Sequence, residues 1–136
     1  MSGTESLTVV GWIHQTLTAD AALTGVGVYD TVAPADATFP LIIVAEAGDI
    51  ADTNVLPATR VLTTGTWQVR VAVEGMSWAP AAALVQRIDE LLQSGTATLQ
   101  NGTVLGCSRV APLKYAEEAN GRQYRHLGGL YRVVVR

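Results

Sequence analysis

A single cysteine, two histidines, one phenylalanine and no long apolar run set the first limits on this chain. Cys107 stands alone, which excludes an internal disulfide and a cysteine-based zinc cage. Lying between Gly106 and Ser108 in a strand-like stretch, it is expected to be a buried, inert thiol. His14 and His126 fall in different predicted elements, and neither has a carboxylate or cysteine at metal-ligand spacing, so no metal site is expected. No segment approaches the ~18 apolar residues needed to span a bilayer. Residues 1–6, Met-Ser-Gly-Thr-Glu-Ser, lack the basic-then-apolar pattern of a secretory signal, so assembly in a reducing cytoplasm is the expectation.

Charge is also scarce. Only 15% of the residues are charged, against 49% hydrophobic. A small monomer usually shows more charged surface, so some apolar surface is expected to lie under a partner. The simpler alternative is a compact Ala-rich domain. Catalytic constellations are missing as well. Asp89-Glu90 and Glu117-Glu118 are adjacent pairs, and neighbouring side chains do not converge for acid–base work. Gly25-Val-Gly27 lacks the third glycine of a phosphate-binding loop, and no serine sits in a nucleophile elbow. No catalytic residue, cofactor or enzymatic activity is expected.

What is present is an uneven spread of charge. Arg109, Lys114, Arg122, Arg125, Arg132 and Arg136 stand in the last 28 positions against Glu117 and Glu118, a net of +4. The preceding 108 residues carry three basic and ten acidic residues, a net of −7. Unlike ends of this kind can attract further copies of the chain or a differently charged neighbour. Tyr124, Arg125, His126 and Tyr131 also form the aromatic–cationic mixture that stacks on bases. With a pI near 5.2 and no nucleic-acid motif, contact with DNA is expected to be weak and incidental.

At 136 residues the chain fits one domain, 1–136, with a real core. Ser2 and Glu5 have capping-box spacing, and Leu7, Val10, Ile13 and Leu17 recur at helical spacing with Trp12 beside them, predicting a helix over 4–18. Asp20 is expected to cap a short turn at 21–23. Val28-Tyr29 reads as extended, and Leu41–Ala45 as a strand covered on both faces. Residues 48–64, with Pro57 in the middle, read as a long polar loop and a candidate arm ordered by a neighbour. Trp67, Val69, Val71 and Val73 alternate as a strand. Ser77 is expected to cap a second helix with Pro80 in its first turn and an apolar stripe of Leu84, Val85, Ile88, Leu91 and Leu92. Gly95 is expected as its left-handed cap. Asn101-Gly102 predicts a hairpin turn, which outweighs the glycosylation reading of Asn101-Gly-Thr103. Pro112 implies a sheet edge or bulge over 110–115. Residues 117–125 read as a polar connection with a turn at Asn120-Gly121, and 130–136 as a closing strand.

Six phrases follow one another along the chain: Leu17-Thr-Ala-Asp-Ala-Ala-Leu23, Val28-Tyr29 with Ala33-Pro34, Phe39-Pro-Leu-Ile-Ile-Val44, Trp67-Gln-Val-Arg-Val-Ala-Val73, Ile88-Asp-Glu-Leu-Leu92 and Tyr124-Arg-His-Leu-Gly-Gly-Leu-Tyr-Arg132. In this order they resemble the tail-terminator (tail-completion) proteins of long-tailed bacteriophages, and the likeness covers nearly the whole chain. It implies an α+β fold, a mostly antiparallel β-sheet with two main α-helices packed against it. It further implies a homohexameric ring at the head–tail junction of a virion, seated on the tail-tube protein, ending tube polymerisation and joining the head–tail connector or stopper, with DNA passing through the lumen. No catalytic residues are implied. The candidate interface comes from charge and position in this sequence: Asp49, Asp52 and Arg60 on the arm, and Arg122, Tyr124, Arg125, His126 and Arg132 in the basic segment. Two alternatives remain open: another neck, head-completion or minor tail protein of similar fold, and a small ligand-binding or regulatory domain.

Overall fold

The computed structural model describes residues 3–56 and 58–136; the expected cap at Ser2 and the expected loop centre at Pro57 lie outside them. The order of elements is α1 (Glu5–Thr18), a 3₁₀ turn (Ala21–Leu23), β1 (Gly27–Asp30), β2 (Leu41–Val55), β3 (Thr59–Glu74), α2 (Ala79–Leu92), β4 (Ala97–Leu99), β5 (Gly102–Ala119) and β6 (Arg122–Val135). The strands form one sheet in the order β1-β2-β3-β6-β5-β4. Only β1 and β2 run parallel; every other pairing is antiparallel. This is the expected α+β architecture.

Both helices cover one face of the sheet. Val9, Trp12, Ile13 and Leu17 of α1 and Ala81, Ile88 and Leu92 of α2 pack on Val44, Trp67, Val69, Val71, Tyr131 and Val133. The alternation of Trp67, Val69, Val71 and Val73 therefore points into this core, as the sequence suggests. The stripe on α1 is rotated from the expected one: Leu7 is 63% exposed while Trp12 is buried. Glu5 is buried at the helix start, where it accepts from the Gly3 N–H at 3.1 Å and faces Arg60 at 3.6 Å. Asp20 accepts from the Ala22 N–H, as expected of a cap. The cap position of α2 falls on Trp78, not on Ser77, although Ser77 Oγ, one residue before it, accepts from Ala79 N–H at 3.2 Å; Pro80 stands in the first turn, as expected. The left-handed residue after α2 is Ser94 (φ 62), not Gly95. Gly95 serves a different purpose: a Cβ there would meet the Trp12 ring at 2.5 Å.

The opposite face of the sheet has no helix. At one end, the segment joining β1 to β2 crosses it, and Tyr29, Ala33 and Ala37 pack on Leu41, Ile43 and Ala72. This explains why Leu41–Ala45 is buried on both faces. Further along that face, Gln68 and Arg70 of β3 and Leu130 of β6 are half-buried and Arg132 is exposed.

Residues 48–64 are not a loop. β2 continues to Val55 and β3 begins at Thr59, so the segment is a two-stranded ribbon, with register shifts at 46/48, 48/51 and 53/54. The polar β2 half conceals the strand because both its faces meet solvent and no apolar alternation is selected there. Residues 117–125 are also strand on both sides of the turn, with Asn120 (φ 55) and Gly121 (φ 75) both left-handed as a two-residue hairpin demands. Pro112 sits where β5 has no outer neighbour, since β4 pairs only with residues 102–104.

Candidate assembly surfaces

The ribbon is the first feature that reaches beyond the domain. β6 accompanies β3 only as far as the Thr63–Val135 pair, so residues 59–62 and their partners on β2 project past the sheet. Every residue from Glu46 to Val55 is exposed. The ribbon's base is fixed: Thr63 Oγ1 donates to Asp52 Oδ1 at 2.6 Å, and Arg60 lies 3.7 Å from Asp52 and 3.6 Å from Glu5. Asp49 (φ 56) is exposed at a register shift and makes no ion pair among the described residues. Leu56, at the tip, is 94% exposed. The three arm candidates Asp49, Asp52 and Arg60 therefore share one ribbon.

The second feature is a cleft of about 140 Å³ at the other end of the sheet, on the helix-free face. Its floor is Leu41, Ile43 and Ala72, and its walls include Phe39, Tyr124 and His126. Phe39 and Tyr124 rings lie 5.2 Å apart, and Tyr115 stacks on His126 at 4.4 Å with planes 10° apart. His126 is buried, so it shapes the cleft wall instead of meeting a partner directly. Arg70 Nε–H donates to His126 Nδ1 at 3.2 Å, which makes Nδ1 the acceptor. Nε2 then carries the ring proton and donates to Glu117 Oε1 at 2.6 Å. The chain has few aromatic residues, and this concentration beside an arginine is the composition of a binding hot spot.

The basic segment does not form one patch. It folds into a long hairpin, and successive residues of β6 point to opposite faces. Arg122 lies 3.6 Å from Glu74. Arg125 turns to the helix side, where it and Lys114 lie over the Trp78 ring at 5.6 and 4.6 Å from its centroid. Arg132 is exposed on the helix-free face, opposite Thr66 of β3 and Ser108 of β5. Of the five candidates in this segment, Tyr124 and His126 meet at the cleft with Arg122 at the same end; Arg125 and Arg132 stand apart. Sequence reasoning missed Phe39, Arg70, Tyr115 and Glu117. Arg70 had a signal, since alternation places it opposite Val69 and Val71, but only the β3–β6–β5 register brings Arg70, His126 and Tyr115 side by side.

Under α2 lies a polar cluster with an internal role. Tyr131 O–H donates to Asp89 Oδ1 at 2.8 Å. Burial, reinforced by that bond and the Asp89 charge, raises the Tyr131 phenol above its ordinary range. Burial, with a further push from Asp89, lifts the Cys107 thiol to about 12, as expected of an inert residue. Arg87 holds Asp20 by two bonds of 3.0 and 2.6 Å, which lowers the Asp20 carboxyl below its usual value. His14 is exposed on α1. Among the described residues no three His, Cys, Asp or Glu side chains converge as a metal site would need.

A sheet with one helix-covered face, one open face and a projecting ribbon defines an α+β domain with surfaces to spare. No family model matches the sequence, and no curated protein matches it. Seven chains of solved structures do match. One of them belongs to a structure described as "Virion of native gene transfer agent (GTA) particle"; it is 23% identical, with a TM-score of 0.70 over 90% of this chain and 90% of that chain. At that identity the likeness establishes a shared fold.

Proposed function

We propose that this chain is a structural protein of a phage-like virion, and that it forms a homohexameric ring which caps the tail tube, stops its polymerisation and joins it to the head–tail connector. The observation that carries this reading is the fold shared, over nine-tenths of both chains, with a chain of a gene transfer agent particle. Two features of the surface support it. The exposed ribbon and the aromatic cleft lie at opposite ends of one sheet, so a contact between them joins unlike surfaces and repeats around an axis. The outer edges of β2 beyond Val44 and of β5 beyond Arg109 have no strand partner among the described residues, leaving backbone groups open to a neighbour. Function is then geometric, and the residues carry shape and charge in place of bond-making chemistry. The partners are further copies of the chain, the tail-tube protein and the connector, with DNA passing through the lumen.

Electron microscopy of tail-tube protein polymerising with and without this chain tests the proposal. Short tubes, each ended by a ring, are the expected result. Tubes of unchanged length with no added ring would contradict it.

A further inference from the structure

We infer that β1 of one copy adds, antiparallel, to the free edge of β5 in the next copy, so that neighbouring domains share one continuous sheet. This pairing rests on the ring reading and names a contact between its copies.

The backbone shows which groups each edge leaves open. The chain turns out of the sheet at Thr31 (φ 68), whose N–H donates to Val44 O of β2 at 2.8 Å. Backbone groups alternate along a strand, so Tyr29 also faces β2 while Val28 and Asp30 point outward from the sheet's end strand. On β6, Arg136 exchanges bonds with Thr103 of β5, whereas Gln123 O accepts from Gly75 at the end of β3. Even residues of β6 therefore turn to β5 and odd ones to β3. Pro112 and Lys114, which stand opposite Gly129 and Leu127, point outward for the same reason. Cys107, opposite Val133, already does so, and its carbonyl accepts from Ser94 N–H. Beyond Arg109, whose N–H donates to Gln93, that edge has no strand beside it among the described residues.

Direction, hydrogen bonding and charge all match these two edges. β1 runs parallel to β2 and β5 runs opposite to both, so a copy turned about an axis along the strands brings its β1 antiparallel to β5. Val28, Ile42, Val71, Leu127 and Lys114 form one row across the sheet, and Asp30, Val44, Val69, Gly129 and Pro112 another. With the copies level, Val28 meets Lys114 and Asp30 meets Pro112, outward group against outward group. Val28 and Lys114 then exchange both backbone bonds. Asp30 N–H reaches Pro112 O, and the donor that proline lacks is not missed, because Asp30 O already accepts from Val32 N–H at 2.7 Å. Moved two residues to face Val28, Pro112 would leave Val28 O without a donor. Asp30 and Lys114 are exposed on the helix-covered side, and neither has an ion pair among the described residues. Across the seam they become diagonal neighbours. Tyr29 and Leu113, both half-buried, face each other on the other side. Glu117 and Glu118 run on past Gly27 to the uncharged Gly25 and Thr24. Two copies of β1 would set acid against acid, since residues 1–59 contain no lysine or arginine.

The experiment uses the full chain under conditions where the wild type assembles, alone or on tail-tube protein. Asp30→Lys and Lys114→Asp are each expected to lower self-association about fivefold at low salt. The protein carrying both reversals is expected to return to within about twofold of the wild type, since every seam again holds one pair of opposite sign. Tyr29→Cys and Leu113→Cys proteins, mixed and mildly oxidised, are expected to give a disulfide-linked species absent from either protein alone; the buried Cys107 does not compete. Assembly of both single reversals like the wild type would overturn the strand pairing while leaving the ring standing. So would a double reversal that restores nothing, a cysteine mixture that assembles without cross-linking, or cross-linking of either cysteine variant to itself. A wild type that remains monomeric on tube protein as well would overturn the ring reading, and the pairing with it.

Discussion

Tyr131, Asp89 and Cys107 show how single residues of this domain divide between stability and surface. The Tyr131 hydroxyl donates a hydrogen bond to Asp89 from a buried position. Tyr131→Phe removes that donor and leaves the carboxylate short of a partner. The expected loss is about 1.5 kcal/mol, read from urea unfolding. Cys107 and Tyr131 both hold their protons more tightly in the folded chain than when unfolded. The sign follows: their contribution is complete below the unfolded thiol value, near 9, and stability falls as the pH rises from there toward about 12. Unfolding midpoints measured between pH 7 and 11 should decline on the alkaline side, and Cys107 should resist alkylation until the chain unfolds. Asp20 behaves oppositely. Its lowered carboxyl contributes fully above the ordinary carboxylate range, and the contribution is lost as the pH falls through the depressed folded value.

Elements were legible where one face is buried. The Trp67–Val73 alternation and the apolar stripe of α2 read correctly, because burial leaves a local signature; the hairpin expected at Asn101-Gly102 forms one residue earlier, with Leu99 paired to Gly102, Gln100-Asn101 at the turn and neither Asn101 nor Gly102 left-handed. The ribbon over 48–64 was not legible because its β2 half is exposed on both sides and needs no alternation. The α1 stripe was mis-phased because Trp12 and Thr8 fill the core side that Leu7 was expected to share. The cleft was partly hidden for another reason. Tyr124 and His126 are close in sequence, whereas Phe39, Arg70 and Tyr115 join them only through strand order and register. Register itself depends on close backbone approach at Gly128, where a Cβ would stand 2.6 Å from Arg70 Cα. Gly128→Ala is expected to destabilise the β3–β6 pairing by about 3 kcal/mol or more, seen as a lowered unfolding midpoint or insoluble protein.

At the scale of the whole molecule, the linear charge asymmetry does not survive as two oppositely charged ends. The hairpin of β5 and β6 spreads its cations along its length and over both faces. Arg122 is the most exposed of those that the structure pairs, at 66%, and faces only Glu74. Reversing it with Arg122→Glu should weaken assembly more at low salt than at high salt, where screening is strong. Arg125→Glu should do so with an added loss of stability, because Arg125 lies over Trp78. Indifference of assembly to both changes would make these residues ordinary surface. The low overall charge acquires a reason in this account, since a chain surrounded by its own copies needs less charged surface.

Sedimentation velocity of the purified chain, alone and with tail-tube protein, tests side-by-side docking most directly. A closed species of six copies in at least one of the two conditions is the predicted result. A single sedimenting monomer in both, at concentrations up to the high micromolar range, would contradict it.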